Sequence, residues 1–287
     1  MPPMLPPKTF AGKTILITGG GTGLGKSMGR TLLELGGKLV ICGRRADVLT
    51  ATAEELSRET EGEVLAQVCD VRDPAQVEAL FEAAAERFGG VDALVNNAAG
   101  NFICPTERLS HNAFNAVVDI VLRGTFHCTL AAGQRWIAAG RGGVALNIVA
   151  TYAWTGSGFV VPSAVSKAGV LALTQSLAVE WGPRGIRTNA IAPGPFPTEG
   201  AWSRLMPKEV QPLFDPARRI PLRRVGEHEE LANLAAYLLS DYSGYINGEC
   251  VTIDGGEWLR GAGQFSGLDA LDDAAWDKLQ AKLKPKR

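Results

Sequence analysis

Two groups of residues in this sequence have the types and spacing needed for chemistry on a bound ligand. The first is the run TGGGTGLG at 18–25, whose glycines let the backbone turn tightly and approach a phosphate group. The second is Ser163 and Lys167, four residues apart and so on one helix face, with Tyr152 upstream of them. Hydroxyl, phenol and ammonium groups can donate protons or hydrogen bonds to an oxygen that gains negative charge.

The elements that position these residues alternate between short apolar runs and helix-length amphipathic runs. Seven runs predict strands, at 13–18, 38–42, 63–69, 91–95, 143–149, 186–191 and 249–253. Because helical stretches separate them, the strands should be parallel and covered on both faces. The sequence therefore predicts an α/β fold, a single doubly wound Rossmann-type domain at 10–260 with a seven-stranded parallel sheet.

Two segments fall outside this alternation. The Pro- and Arg-rich segment 193–224 lies between a strand and a helix, where a long loop is usually a lid or a binding element. We expect 261–287 to be a C-terminal helical extension that packs on the core or on a neighbouring subunit, with a basic anchor as the alternative.

The glycine-rich run follows the first predicted strand and opens a helix, which favours a nucleotide site over a merely structural turn. In such a sheet an acidic residue at the end of the second strand binds the ribose 2′-OH of NAD, whereas arginine accommodates the 2′-phosphate of NADP. Here Arg44 and Arg45 end that strand, and no carboxylate appears before Asp47. We predict NADP(H) as cofactor; the alternative is that the two arginines only begin a solvated helix.

The spacing T-G-x-x-x-G-x-G and the run NNAAG at 96–100 resemble the short-chain dehydrogenase/reductase family. The family's usual Tyr-x-x-x-Lys is missing, because Ser163 stands four residues before Lys167 and Ala150 stands 13 residues before that serine. Lys167 opens the expected helix, and Tyr152, 15 residues before it, follows the fifth predicted strand instead. This arrangement resembles one branch of the family, the 2,4-dienoyl-CoA reductases of the mitochondrial type, as do CDVRDP at 69–74, PTERLS at 105–110 and TGSGFVVPSA at 155–164.

The resemblance implies a role for residues throughout the chain. The implied catalytic group is Asn101, Tyr152, Ser163 and Lys167, and the implied acyl-CoA contacts are Arg72, Phe102, Ser110 and Arg204. The implied cofactor contacts are Thr18, Gly19, Gly21, Thr22, Gly23, Leu24, Gly25, Arg44, Arg45, Asp70, Val71, Asn97, Ala98, Ala99, Lys167, Pro193, Gly194, Pro195 and Phe196. Taken alone, Tyr152 and Asn101 would be ordinary loop residues and Arg72 an ion-paired one; their place in the matching segments favours function. A homotetramer is expected by analogy.

The chemistry of a conjugated thioester explains how the usual tyrosine could be dispensed with. Hydride addition at the δ carbon of a 2,4-dienoyl-CoA would move negative charge to the thioester oxygen, and fixed donors aimed at that oxygen are typically worth ~3 kcal/mol each. The Tyr152 hydroxyl and the Asn101 amide could be such donors, with Lys167 on the nicotinamide ribose. We therefore expect NADPH-dependent reduction to a 3-enoyl-CoA in unsaturated fatty acid β-oxidation. Two alternatives stay open: a short-chain reductase of a ketone or another enoyl thioester, and a catalytically silent NADP-binding protein.

Charge and cysteine usage exclude several other classes of function. With 29 Lys and Arg against 30 Asp and Glu, no global field recruits nucleic acid or an anionic membrane, so neither is an expected partner. The five cysteines are scattered and, like the three histidines, lack metal-ligand spacing, which predicts no metal site. An odd number of unpaired thiols is typical of a reducing compartment, and we expect a cytoplasmic protein.

Overall fold

The computed structural model describes residues 1–198 and 215–283. Its centre is a parallel sheet of seven strands in the order β3-β2-β1-β4-β5-β6-β7. The strands are β1 (Thr14–Thr18), β2 (Lys38–Gly43), β3 (Val64–Val68), β4 (Ala93–Asn96), β5 (Gly143–Ile148), β6 (Ile186–Pro193) and β7 (Cys250–Ile253). The predicted doubly wound α/β fold is confirmed, and each predicted strand lies within two residues of its observed ends.

Helices connect the strands and cover both faces of the sheet. The described helices are α1 (Gly23–Glu34), α2 (Ala46–Thr60), α3 (Pro74–Phe88), α4 (His111–Val118), α5 (Gly124–Ala138), α6 (Tyr152–Thr155), α7 (Val161–Trp181), α8 (Pro216–Arg219), α9 (His228–Leu239), α10 (Glu257–Ala262) and α11 (Asp273–Leu283). Short 3₁₀ turns lie at Thr106–Arg108, Gly182–Arg184, Asp241–Ser243 and Ser266–Ala270.

Successive side chains of β1 point to opposite faces of the sheet and so belong to two separate layers of the core. Ile15 and Ile17 pack in a cluster with residues of α1, α2 and α9, whereas Leu16, between them, packs with residues of α3, α5 and α7. All three are fully buried, as expected for a strand covered on both faces. The two helix layers hold the sheet between them, and the carboxyl ends of β1, β4 and β5 therefore lie at one edge, where the predicted site residues are.

One long helical stretch passes through the core beside this edge. The π-helical segment Asp119–Arg123 joins α4 and α5 without a break, and one continuous helical stretch therefore runs from His111 to Ala138. By length and composition this stretch could cross a membrane, but half of its most apolar window is buried inside the fold, as in a core helix. Single-turn π segments inside α-helices often occur near functional sites.

The C-terminal segment is helical, but its apolar side chains are not well covered. Beyond α10, the Ser266–Ala270 turn and α11 leave Phe265 75% and Leu268 40% exposed. Two ion pairs hold the turn, because Asp269 binds both Arg260 and Arg223. Packing on this chain's own core is therefore partial. Of the segment 193–224, which we expected to be a lid or a binding element, residues 199–214 lie outside the described part of the chain.

Candidate active site

The glycine-rich turn is tied to the loop that follows β4. The Thr18 hydroxyl accepts hydrogen bonds from the backbone N–H groups of Asn97 and Ala98, both at 3.0 Å. In return, the Asn97 side-chain amide donates to the carbonyls of Thr18 at 3.0 Å and Gly19 at 3.2 Å. A Cβ on Gly25 would lie 2.5 Å from the Gly19 carbonyl oxygen, so only glycine fits there. These hydrogen bonds join the turn after β1 to the loop after β4 in one rigid unit, which we call the cradle.

The helix that follows this turn presents an uncapped N-terminus. Among the described residues, no side chain caps α1, because Thr22 at its N-cap forms no such hydrogen bond. The first turn of α1 also contains no acidic residue. The N–H groups and the positive end of the helix dipole are then left for an anionic group. The cradle and this helix end fit the pyrophosphate of a dinucleotide, although the predicted contacts there remain predictions.

Two arginines follow directly after β2. Arg44 and Arg45 are exposed, and neither guanidinium has an ion-pair or hydrogen-bond partner within 1–198 or 215–283. The first carboxylate after them, Asp47, lies in the first turn of α2, where it complements the helix dipole. Guanidinium groups in this position can bind a phosphate group.

The turn after β3 is closed by an ion pair. The Arg72 guanidinium donates to both carboxylate oxygens of Asp70, with Nε at 2.9 and 3.0 Å, and lowers the pKa of that carboxyl; the charge of Arg44 contributes less. The structure thus pairs Arg72 with Asp70, and the predicted contact of Arg72 with acyl-CoA stays a prediction. The neighbouring Val71 is buried, and its carbonyl accepts a hydrogen bond from the His127 ring.

The residues predicted to form the catalytic group largely come together. Tyr152 opens α6 and Ser163 lies in the first turn of α7, and their hydroxyls are hydrogen-bonded at 3.0 Å. The Asn101 side chain lies beside them, and its Oδ1 accepts a hydrogen bond from the backbone N–H of Phe102 at 2.9 Å. Burial raises the pKa of Tyr152, and the neighbouring Ser163 and Asn101 side chains partly offset this rise. The phenol is therefore a protonated donor at neutral pH.

Lys167 lies one turn beyond Ser163 on the same face of α7. Its side chain is only 7% exposed, and its Nζ donates a hydrogen bond to the backbone carbonyl of Ile148 at the end of β5. Burial lowers its pKa to about 8. The lysine was predicted to open the helix, but α7 begins at Val161, with Pro162 in its first turn, so Lys167 lies deeper in the core.

The predicted acyl-CoA residues fall into different surroundings. Phe102 packs against the buried cluster that includes Val117 and Val121, next to Asn101. The Ser110 hydroxyl accepts from the backbone N–H of Ala113 at 3.1 Å and so caps α4. Arg204 lies outside the described residues. Nothing in the structure assigns these residues a ligand, and their roles remain predictions.

The remaining predicted cofactor residues follow the same sheet edge. Gly21 and Gly23 continue the glycine-rich turn, Leu24 lies in the first turn of α1, and Ala99 follows Ala98 in the loop after β4. Pro193 ends β6, followed by Gly194, Pro195 and the buried Phe196. A Cβ on Gly194 would lie 2.7 Å from the Asp254 Cβ, so this segment packs tightly against the turn after β7. Within the described ranges, no group of His, Cys, Asp and Glu could hold a metal ion.

The sequence analysis missed an aromatic pair beside the catalytic group. Trp154, two residues after Tyr152, meets Trp258 of α10 edge to face, with ring centroids 5.7 Å apart and an interplanar angle of 80°. The signal available was the presence of a tryptophan at each position; their contact depends on how α6 and α10 pack.

Comparison with known proteins is consistent with this geometry. A family model described as enoyl-(acyl carrier protein) reductase matches residues 19–257. A Bacillus subtilis (strain 168) protein named probable 2,4-dienoyl-CoA reductase, (2E)-enoyl-CoA-producing, is 48% identical, over 86% of this chain and 97% of that protein. A Caenorhabditis elegans protein named probable 2,4-dienoyl-CoA reductase decr-1.2, (3E)-enoyl-CoA-producing, is 43% identical, over 96% of this chain and 90% of its own length.

A solved structure also matches the fold. The crystal structure of a short chain dehydrogenase from Bacillus anthracis str. 'Ames Ancestor' is 46% identical, covers 86% of this chain and 97% of its own, and superposes with a TM-score of 0.77. The family model, the sequence relatives and the matching structure agree, and the chain therefore belongs to the short-chain dehydrogenase/reductase family of oxidoreductases, which use NAD or NADP.

Proposed function

We propose that this protein is an NADPH-dependent 2,4-dienoyl-CoA reductase that forms a 3-enoyl-CoA in unsaturated fatty acid β-oxidation. The observation that carries the proposal is the pair of Tyr152 and Ser163 hydroxyls, hydrogen-bonded at 3.0 Å at the carboxyl edge of the sheet, with Asn101 beside Tyr152. The names of relatives 36–48% identical to this chain support the choice of substrate.

The cofactor would be held along the same edge. The N–H groups at the start of α1 would bind the pyrophosphate, the exposed Arg44 and Arg45 the 2′-phosphate, and the Lys167 ammonium the nicotinamide ribose hydroxyls. When bound, a reduced nicotinamide supplies a hydride. The negative charge of the bound pyrophosphate would favour the protonated form of Lys167.

The chain's own residues would stabilise the charge that develops on the substrate. As electrons move through the diene to the thioester oxygen, the Tyr152 hydroxyl and the Asn101 amide would donate hydrogen bonds to that oxygen. Because burial raises the pKa of Tyr152, the phenol keeps its proton and acts as a donor, not as a base. Ser163 would orient the phenol through its 3.0 Å hydrogen bond.

Proton delivery decides which enoyl product forms. Protonation of the dienolate at the α carbon by water gives a 3-enoyl-CoA, whereas protonation at the γ carbon gives a 2-enoyl-CoA. The relatives' names include both products, (2E) in Bacillus subtilis and (3E) in Caenorhabditis elegans. We propose the 3-enoyl product because the buried Tyr152–Ser163 pair is suited to holding the oxygen and leaves protonation of the dienolate to water.

The decisive experiment is NADPH oxidation with 2,4-hexadienoyl-CoA, with the product compared by chromatography with authentic 2- and 3-enoyl-CoA. Tyr152→Phe should lower turnover at least about tenfold, since it removes one oxyanion donor. Tyr245→Phe is the matched control, because that side chain is fully exposed. Turnover of acetoacetyl-CoA alone would instead identify a ketone reductase, and NADPH binding without turnover of either substrate a silent cofactor-binding protein.

The choice of NADP over NAD has its own test. Replacing Arg44 and Arg45 together by alanine should weaken NADPH binding at least about tenfold and leave NADH binding unchanged, because only NADPH carries the phosphate that the guanidinium groups would bind. Equal losses for both nucleotides, measured by fluorescence titration, would contradict the assignment.

A homotetramer is part of the proposal. Helices after the fourth and fifth strands expose apolar side chains that a second copy could cover: Phe126 and Leu130 on α5, and Val165 and Val179 on α7. Light scattering after size-exclusion chromatography should give four times the chain mass. Val179→Glu, at the most exposed of these positions, should yield smaller species.

A further inference from the structure

The helix that carries Tyr152 has little of its own to hold it in place. α6 is one turn long, Tyr152–Thr155, and within the described chain no side chain caps its start. Its turn is closed by Gly156 N–H donating to the Tyr152 carbonyl at 3.0 Å, and Gly156 itself has φ +69°. A helix this short is not stable without tertiary packing. The position of the Tyr152 hydroxyl must therefore be set by what α6 packs against.

Two apolar contacts anchor α6. Ala153 is 8% exposed and belongs to the buried cluster with Val149 and Val170. Trp154 meets Trp258 edge to face. Residues two apart on a helical turn point in roughly opposite directions, so the Trp154 ring lies away from the side on which Tyr152 meets Ser163. The tryptophan pair thus fixes α6 from the side opposite the catalytic hydroxyl.

Trp258 is itself held firmly. The Asp254 carboxylate accepts hydrogen bonds from the backbone N–H groups of Gly256 and Trp258, both at 2.8 Å, and so fixes the start of α10. Asp254 also packs against Gly194, where no side chain would fit. Trp258 is therefore fastened to the end of β7 and to the predicted cofactor segment that follows β6. Its ring is a fixed support for the partly exposed Trp154.

We infer that Trp258 is a positioning residue, which holds the Tyr152 hydroxyl in place through Trp154. The inference rests on the proposed role of Tyr152 as the donor to the thioester oxygen. Among the described residues, no hydrogen bond joins the Trp258 side chain to the hydroxyl pair or to a predicted nucleotide contact, so its effect should appear in the chemical step and not in ligand binding. Geometry of this kind is sensitive, because small displacements of a donor weaken stabilisation of the transition state.

The test compares Trp258→Ala and Trp258→Phe with Leu259→Ala, which removes a neighbouring and 65% exposed side chain from the same helix. Trp258→Ala should lower kcat for 2,4-hexadienoyl-CoA about fivefold, the effect of losing one aromatic pair, with KM and the NADPH Kd within about twofold of wild type. Trp258→Phe, which keeps a ring for Trp154, should restore most of kcat. Trp154→Ala should reproduce the loss, and the two alanine changes together should not multiply it.

A second measurement does not depend on turnover. The ultraviolet signal of tyrosinate, taken as the difference between each protein and its Tyr152→Phe counterpart, reports the pKa of Tyr152. Because burial raises that pKa, loosening α6 in Trp258→Ala should move it down toward its ordinary value. A kcat and a Tyr152 titration in Trp258→Ala equal to those of Leu259→Ala would overturn the inference. A shifted titration in a protein that never reduces the dienoyl thioester would refute the proposed function and uphold the positioning role.

Discussion

The buried ammonium of Lys167 should make the stability of the ligand-free protein depend on pH in a specific direction. The side chain lies inside α7 with one described hydrogen bond, to the Ile148 carbonyl, and burial lowers its pKa from 10.5 to about 8. Between these two values the unfolded chain binds the proton and the folded protein does not. The free energy of unfolding should therefore rise as the pH increases from 8 toward 10.5.

The magnitude follows from the size of the change in pKa. Lowering the lysine pKa from 10.5 to about 8 means that burying the charged form destabilises the folded protein by roughly 3 kcal/mol below pH 8. Integrated over the titration, about 1 kcal/mol of this is recovered between pH 7 and 9, and about 2 kcal/mol by pH 10. Lys167→Met keeps the length of the side chain and removes the charge, so its stability should lack this pH dependence.

Urea unfolding of the wild type and Lys167→Met, without nucleotide, at four pH values from about 7 to 10 measures the effect. The unfolding free energy of the wild type minus that of Lys167→Met should increase steadily as the pH rises, whatever its starting value at pH 7. That starting value also contains the loss of the hydrogen bond to Ile148, about 1 kcal/mol. A difference that stays constant within about 0.5 kcal/mol over this range would refute the reasoning, because it would mean that Lys167 titrates alike in both states.

Three further changes test other parts of the site. Gly25→Ala should weaken NADPH binding at least about tenfold in a fluorescence titration, because the added Cβ would collide with the Gly19 carbonyl. Ser163→Ala should lower kcat about fivefold, less than Tyr152→Phe does, since the phenol remains but loses the hydrogen bond that orients it. Glu230, whose pKa an adjacent arginine lowers to about 2, should stabilise the protein above pH 4.5 and lose this effect as the pH falls toward 2. The Tm of Glu230→Gln should accordingly lie below that of the wild type at pH 7 and approach it in acid.

The fold could be predicted from the sequence because its signals are local. Each central strand is a short continuous apolar run, as at Ile15 to Ile17, and its length, its β-branched residues and the turn residues that follow it identify it as a strand. The glycine-rich turn could also be recognised from the sequence, since its assignment as a nucleotide site depends only on the strand before it and the helix after it. The start of α7 was misjudged even though a local signal existed, a proline in the first helical turn at Pro162.

The contacts that define the site could not be predicted in the same way. The hydrogen bond between Tyr152 and Ser163 joins two helices across a loop with positive φ at Gly156 and Phe159, which no periodicity reveals. The depth of Lys167 likewise depends on how α7 packs on β5. The role of Arg72 could not be decided from the sequence either, because an arginine next to an acidic turn can pair with its acidic neighbours or bind the phosphates of an acyl-CoA.

The strand order of the sheet also determines when each part of the site can form during synthesis of the chain. The nucleotide cradle joins Thr18 to Asn97, 79 residues apart, so it can close once roughly the first hundred residues have emerged. β5 then has to arrive to cover β4, and until it does, an apolar strand at the middle of the future sheet has an open edge that can pair with another chain. A nucleotide that bound the early half would stabilise it by mass action during this interval. Cofactor supply would then influence the yield of folded protein as well as its activity.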